Sequence, residues 1–396
     1  MGCGASKWRD PGVRQRRLSS VGEVVVFLPG LRVPRNIDFS QTLGDHLDKS
    51  IVERLTALRA RIVAMATQES TTALKPRRRA AAQHGGSSTA NLLQALEEYL
   101  PALLGLVKGG SELRNKVQFV WANQEDVAEA NNLLLPRSYA DGHGPRVSEE
   151  SRQATVDLFL KAAGYLDCAI HHVLVQIPPE RRRELPVDLA EGNLKALSLQ
   201  GLSQGVDMQL GLAIDNPKAT LAVKRRLACE MIKCWKQVKD SIPELPLSDG
   251  WGKKHSLFVK WKYVEAKAAA YYFHGLILDE GETDKAQEMA IAALQASEEF
   301  LNESKRASEA FHSAPPASRS PAPFGTTKYL LDMIPKDVQS KVQSYQDLYT
   351  QQIASNIGVS KIIATPPPLP DFPLALSPED YELPQSDMLW KGANHL

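Results

Sequence analysis

The chain has only four cysteines in 396 residues, at positions 3, 168, 229 and 234, with no framework spacing. A disulfide-stapled scaffold is therefore not expected, and reduced thiols are. No apolar run reaches the roughly 18 to 20 residues that span a bilayer. The N-terminus lacks the apolar core of a secretory signal. Charge of one sign is also missing: 47 Lys and Arg face 46 Asp and Glu, a formal balance of +1. That balance argues against a general nucleic-acid binder. Strand-like runs are few. At 43% hydrophobic and 23% charged, the composition is that of an ordinary globular protein, long enough for two domains or one elongated one. The cytosol is the expected compartment unless something anchors the chain.

What the sequence does have is helical periodicity, clearest from His255 to Leu301. Trp261, Val264, Ala268, Tyr271, Tyr272 and Gly275 recur at spacings of three and four. Ala286, Met289, Ala290, Ala293, Leu294, Ser297, Phe300 and Leu301 do the same. Two amphipathic helices follow from these stripes. The loop between them is short, so they run antiparallel. Gly281 is expected to end the first helix in the left-handed conformation. Asp284 with Gln287 forms a capping box for the second. A hairpin of this size, of the tetratricopeptide kind, needs neighbours to cover its second face.

The N-terminus carries the sharpest short motif. Met-Gly-Cys-Gly-Ala-Ser matches the N-myristoylation pattern through Gly2 and Ser6, and Cys3 beside the acylated glycine suits palmitoylation. One myristoyl chain binds only marginally, with an association constant of roughly 10⁴ per molar, so a second signal is needed. Besides Cys3, Lys7, Arg9, Arg14, Arg16 and Arg17 face Asp10 alone, and each basic group near an anionic leaflet adds about 1 kcal/mol.

Val24–Leu28 and Lys116–Trp121 read as strands that pair into a small antiparallel sheet. Leu47, Ile51, Leu55, Leu58, Ile62 and Met65 mark one helix, and Leu92–Val107 a second, kinked at Pro101. Residues 68–90, with Lys75-Pro-Arg-Arg-Arg79, read as a polar loop. A long helix opens at Ser148 and stops at Pro178-Pro179. Its stripe includes Val156, Phe159, Leu160, Ala163, Leu166, Ile170, Val173, Leu174 and Ile177. Asp188 with Glu191 caps the next helix, and Asn216-Pro217 starts the one after. Val338, Val342, Tyr345, Leu348 and Ile353 mark a further helix beyond the low-complexity break at 313–323. The Pro-rich end is extended; it either packs back on the body or offers a ligand to proline-reading domains.

Signs of bond-making chemistry are weak. Gly201-Leu-Ser203-Gln-Gly205 spells the hydrolase elbow, but that elbow needs a strand before it, and here it sits in a helical pattern. Cys168 and His172 share a helix face, without a second ligand pair for a metal. Gly250-Trp-Gly-Lys-Lys254 lacks the length and the Ser/Thr of a phosphate loop. No catalytic residue, metal, cofactor or small-molecule substrate is expected. Ser203 as a hydrolase nucleophile is the remote alternative.

The order of elements resembles the Bro domain of Alix-type endosomal sorting adaptors, in a short single-domain plant-type form. The likeness rests on the strand near Val24–Leu28, on Asn115-Lys-Val-Gln-Phe-Val-Trp121, on Leu158–Val173, and on Lys262–Gly275 with Gly281 and Ala286–Leu301. The resemblance implies a mainly α, elongated and curved bundle with a tetratricopeptide-like core and a small N-terminal sheet. It implies a division into an acylated basic segment (1–20), a helical domain (21–355) and a Pro-rich segment (356–396). It also implies a non-enzymatic adaptor that takes the amphipathic C-terminal helix of ESCRT-III subunits in a hydrophobic groove, with Met208, Val223 and Leu227 as the matching apolar contacts. Asp207 stands near where the family places an aromatic ring. The expected site of action is the cytosolic face of endosomal or plasma membrane, with a cytosolic pool. An acyl-anchored signalling scaffold, binding other peptides through the body or the Pro-rich tail, is the alternative.

Overall fold

A computed structural model describes residues 32–72, 85–108, 113, 116–123, 149–185, 189–242, 250–281, 283–315, 325–353 and 365–392. It is mainly helical. The helices are α1 (Phe39–Leu43), α2 (Lys49–Thr72), α3 (Gly85–Lys108), α4 (Glu149–Cys168), α5 (Pro179–Arg183), α6 (Glu191–Asp215), α7 (Leu221–Ser241), α8 (Gly250–Asp279), α9 (Asp284–Ser313) and α10 (Gly325–Ile353).

The large hairpin is α8 with α9. Its backbones approach closely because Gly275 has no side chain: a Cβ there would lie 2.8 Å from Leu294 Cγ. The loop is built differently from the expectation. Gly281 is not left-handed; it is required because a Cβ would lie 2.8 Å from that of Ala286. The N-cap is Thr283, whose Oγ1 accepts from Ala286 N. Gln287 is free for another task, and its Nε2 donates to the carbonyls of Asp279 and Gly281. The end of one helix is thus fastened to the start of the next.

At the other end of the hairpin, Phe258 packs edge-on to Trp235 of α7 at 5.8 Å and to Trp261 at 6.0 Å, and lies 5.5 Å from Phe311 of α9. Trp235, Phe258 and Phe311 are buried, and each such side chain contributes about 1.5–3 kcal/mol. This cluster centres the larger core, built from α6 to α10. A second core holds Phe39, Leu43, Ile51, Leu55, Ile62, Ala95, Tyr99 and Leu106 of α1, α2 and α3. Buried Arg59 serves that second unit: its guanidinium donates to the carbonyls of Arg35 and Val120.

Other expectations shift in register. The paired strands are β1 (Arg32–Pro34) and β2 (Trp121–Asn123), antiparallel with Val33 opposite Ala122. Val24–Leu28 lies outside the described residues, and Lys116–Val120 is not strand. Helices α2 and α3 run to Thr72 and from Gly85, into the stretch read as loop. The arginine triplet there lies outside the described residues. Helix α6 starts after Ala190, which has no side-chain cap. Asn216 makes a turn by accepting from Lys218 N, and the true cap of α7 is Thr220. After Cys168 the long helix widens into a π turn (Ala169–Val173) and tightens into a 3₁₀ turn (Leu174–Gln176). That change of winding rotates Val173 off the apolar stripe into solvent. Gln153–Gln176 is long and apolar enough to cross a membrane by length and composition, which the count of apolar runs missed. Asp157, Lys161 and Asp167 interrupt it and α4 packs on α6, so it is a helix of the body.

One core group makes acid stability testable. His255 is buried, with Nε2 2.8 Å from Gln200 Oε1. Burial disfavours the imidazolium and lowers its pKa from 6.5 to about 4. The unfolded chain takes up this proton below pH 6.5, and the folded chain only near 4. Stability from this group is therefore intact above pH 6.5 and falls by about 3 kcal/mol on acidification to pH 4. Urea titrations across that window should show a flatter acid limb for His255→Gln; an unchanged slope would remove this group as the cause.

Candidate functional site: the α6–α7 face beneath a C-terminal strap

Helices α6 and α7 form an antiparallel pair that packs on α8. The three expected partner contacts are split by the structure. Val223 is 46% exposed, Leu227 is half-buried, and Met208 is only 4% exposed. Met208 is therefore a packing residue, not a surface anchor. At 100° per residue, Val223 and Leu227 share one side of α7.

Asp207 explains itself once α8 is in place. Lys262 Nζ lies 3.1 Å from Asp207 Oδ2 and 2.5 Å from Glu265 Oε1, and all three residues are at most 5% exposed. Burial opposes the ammonium charge, and the Asp207 and Glu265 carboxylates more than offset it, holding Lys262 above the ordinary lysine range. The second oxygen of Glu265 has no hydrogen-bond partner. The position where a surface ring was expected is thus part of an internal ion triad.

The Pro-rich end packs back across this face. Residues 365–387 have no regular secondary structure, and a 3₁₀ turn follows (Met388–Gly392). On α7, Lys233 Nζ binds Asp371 Oδ1 and the Phe372 carbonyl, Arg226 lies over the Phe372 ring, and Glu230 Oε2 accepts from Ala375 N. Leu376 sits against Gly205 of α6, where a Cβ would lie 3.3 Å from its Cδ1. Glu379 N donates to Leu160 O of α4, and a Cβ on Gly164 would lie 2.2 Å from Glu379 O. Tyr381 packs edge-on to Tyr165 at 4.4 Å. The Tyr165 hydroxyl and Lys161 both donate to Glu97 of α3, and burial first, then that carboxylate, pushes the phenol up to about 12. Finally Asp387 pairs with Arg54 at 2.7 Å, and Trp390 enters a notch at Gly105, where a Cβ would lie 2.1 Å from the indole. The indole N–H donates to Ala102 O. The strap therefore has one end on the α6–α10 core and the other in the α1–α3 core.

This strap is what sequence reasoning most nearly missed. The Pro-rich composition leaves packing back as one of two fates, and the only sign of the route is glycine inside helices, at 105, 164 and 205, which costs helix stability unless something approaches closely.

Among the described residues, the candidate reactive groups form no catalytic or metal cluster. Ser203 is fully buried in the interior of α6, with its hydroxyl donating to Leu199 O, so no strand-to-helix elbow exists there. Cys168 is buried while His171 and His172 are exposed, because the π turn separates their faces. No group of three metal-ligand side chains occurs among the described residues. Burial pushes the Cys229 thiol up to about 11 and the Cys234 thiol to about 12, which disfavours the nucleophilic thiolate. Gly2, Cys3, Lys7, Arg9, Arg14, Arg16 and Arg17 lie outside the described residues.

No family model and no curated protein matches the sequence. Solved structures do match the fold. The crystal structure of ALIX in complex with the SIVmac239 PYKEVTEDL late domain aligns over 93% of this chain, with a TM-score of 0.58 and 14% identity. The chain has the Bro1 fold. It spans about half, 51%, of that ALIX chain. The ALIX BRO1–CHMP4C complex aligns over 91% of this chain and 97% of its own, with a TM-score of 0.53 and 13% identity. A structure that gives the basis for endosomal targeting by the Bro1 domain aligns over 94% and 95%, with a TM-score of 0.50 and 14% identity. In this Bro1 fold the α8–α9 hairpin, the α6–α7 pair and the strap are the parts described above.

Proposed function

We propose that this chain is a non-enzymatic adaptor of endosomal sorting, held at a membrane surface by lipid on Gly2 and Cys3. The observation that carries the reading is the Bro1 fold over more than nine tenths of the chain. One similar structure is a complex with CHMP4C, and this supports an ESCRT-III subunit as the kind of partner. Val223 and Leu227 present adjoining apolar side chains on α7, as an amphipathic helix requires. The acyl groups and the basic side chains from Lys7 to Arg17 favour an anionic leaflet, on the cytosolic face of the endosomal or plasma membrane, with a cytosolic pool. Anchoring raises the local concentration of a weak contact until it is effective. The acylated segment, the helical domain and the Pro-rich segment divide the work in this reading as 1–20, 21–355 and 356–396.

The test is a pull-down on an immobilised C-terminal helix of an ESCRT-III subunit. The double variant Val223→Asp/Leu227→Asp should lose capture while its far-UV circular dichroism stays the same. Capture at the wild-type level would remove the contact. In acylation-competent cells, Gly2→Ala should move the protein from the membrane to the aqueous fraction. The rival reading, a scaffold whose Pro-rich tail serves proline-reading domains, has less support, because residues 365–390 are already packed on the body.

A further inference from the structure

Between Phe258 and Gly275 every residue of α8 is buried except Lys260, Tyr263, Lys267 and Tyr271. Their spacings of three and four draw one line along the helix. Neighbouring helices complete the line. Lys267 Nζ is 4.8 Å from the ring centroids of both Tyr263 and Phe300, the latter on α9. Lys239 of α7 reaches over Tyr263 at 5.2 Å, and Tyr271 stacks on Phe300 at 5.5 Å. Lys236, one turn before Lys239, is exposed.

The charge in this lane is not neutralised. Among the ion pairs of the described residues, Lys161, Lys233, Lys262 and Lys341 each meet a carboxylate, whereas Lys236, Lys239, Lys260 and Lys267 do not. The nearby acids form no ion pair with these lysines: Glu299 and Glu303 of α9 line a depression of about 450 Å³ at Phe300 with Asn302 and Arg306, and Asp240 is exposed on α7 beside Lys239. The positive lane therefore runs along α7 and α8. A half-buried ammonium clasped by two ring faces is partly desolvated, so a carboxylate reaching it forms a stronger bond than in water.

We propose that this lane docks an acidic peptide of a partner protein. The rings argue against nucleic acid, because lysines and a neighbouring aromatic already occupy ring faces of Tyr263, Tyr271 and Phe300 that base stacking would use. They also argue against a lipid surface, because Tyr263, Tyr271 and Phe300 are half-buried and do not protrude. Carboxylates spaced along an extended or helical segment match ammonium groups one turn apart on α7 (Lys236, Lys239) and two turns apart on α8 (Lys260, Lys267). The lane is separate from Val223 and Leu227, so it does not rest on the ESCRT-III contact.

The probe is a fluorescein-labelled peptide of Glu, Asp and Leu, with a Gln/Asn counterpart, titrated against the full chain. The acidic peptide should bind, lose affinity as salt rises, and weaken roughly tenfold with each of Lys267→Glu and Lys239→Glu. Val223→Asp/Leu227→Asp should leave this binding unchanged. Lys239 is exposed, so its reversal tests the lane even if Lys267→Glu disturbs the packing. Equal binding of the Gln/Asn peptide, no binding of the acidic one, or indifference to both reversals overturns the proposal. Capture of phosphatidylserine vesicles or single-stranded RNA that the reversals abolish, without peptide binding, overturns it in favour of that class.

Discussion

Lys262→Met is expected to cost about 3–5 kcal/mol, because it leaves two buried carboxylates facing each other without a counter-charge. Asp207 and Glu265 come from different helices and share that one ammonium. The geometry leaves no route to water, since the three residues are almost fully covered. Denaturant melts should show the midpoint falling with little change in slope, the sign of lost stability rather than altered compactness. Adding Asp207→Asn and Glu265→Gln to Lys262→Met should return much of the loss, because no ion then remains uncompensated. If the single variant were as stable as wild type, the triad would be ionically unimportant. If the triple variant were no better than the single one, shape rather than charge would be the cause.

Trp390→Ala is expected to give the second large effect, about 3–5 kcal/mol for emptying the Gly105 notch and abandoning the Ala102 hydrogen bond. The strap is an extended segment, so the loss can appear as local release before global unfolding. Limited proteolysis between residues 365 and 390 should accelerate sharply in the variant, and amide exchange at Glu379 and Asp387 should follow. Gly105→Val should do the same from the opposite side, because its side chain would occupy the indole's place. A strap that stays protected in both variants would show that the contacts at Lys233, Glu230 and Gly164 hold it unaided.

Much of the helical scaffold was legible from spacing alone. The α8 and α9 stripes are long, strongly periodic and rich in small residues, so their antiparallel packing follows directly. Local chemistry was read less well. Asp284 with Gln287 satisfied the capping pattern, yet Thr283 took the cap and Gln287 reached the loop carbonyls, because two adjacent residues competed for one role. Helix α6 misled for a different reason. It is covered nearly all round, with Gln200, Ser203, Gln204 and Asp207 buried, so no polar face exists to orient it. Gln200 and Asp207 are satisfied by His255 and Lys262 of α8, and a sequence pattern within one helix cannot show that. Met208 is a groove contact only by the family resemblance, and this coverage buries it. The strap was hardest, since each of its contacts joins residues far apart in the chain.

That distance has a consequence during synthesis. The indole that plugs the core of α1 to α3 lies 288 positions beyond the carbonyl it binds. While the ribosome is still making the middle of the protein, the first helical unit must therefore wait with a hole in it. It closes only once Trp390 has emerged. Chains that stop short of Trp390 should consequently loosen at α2 and α3, although the missing residue lies 288 positions from the carbonyl it would bind.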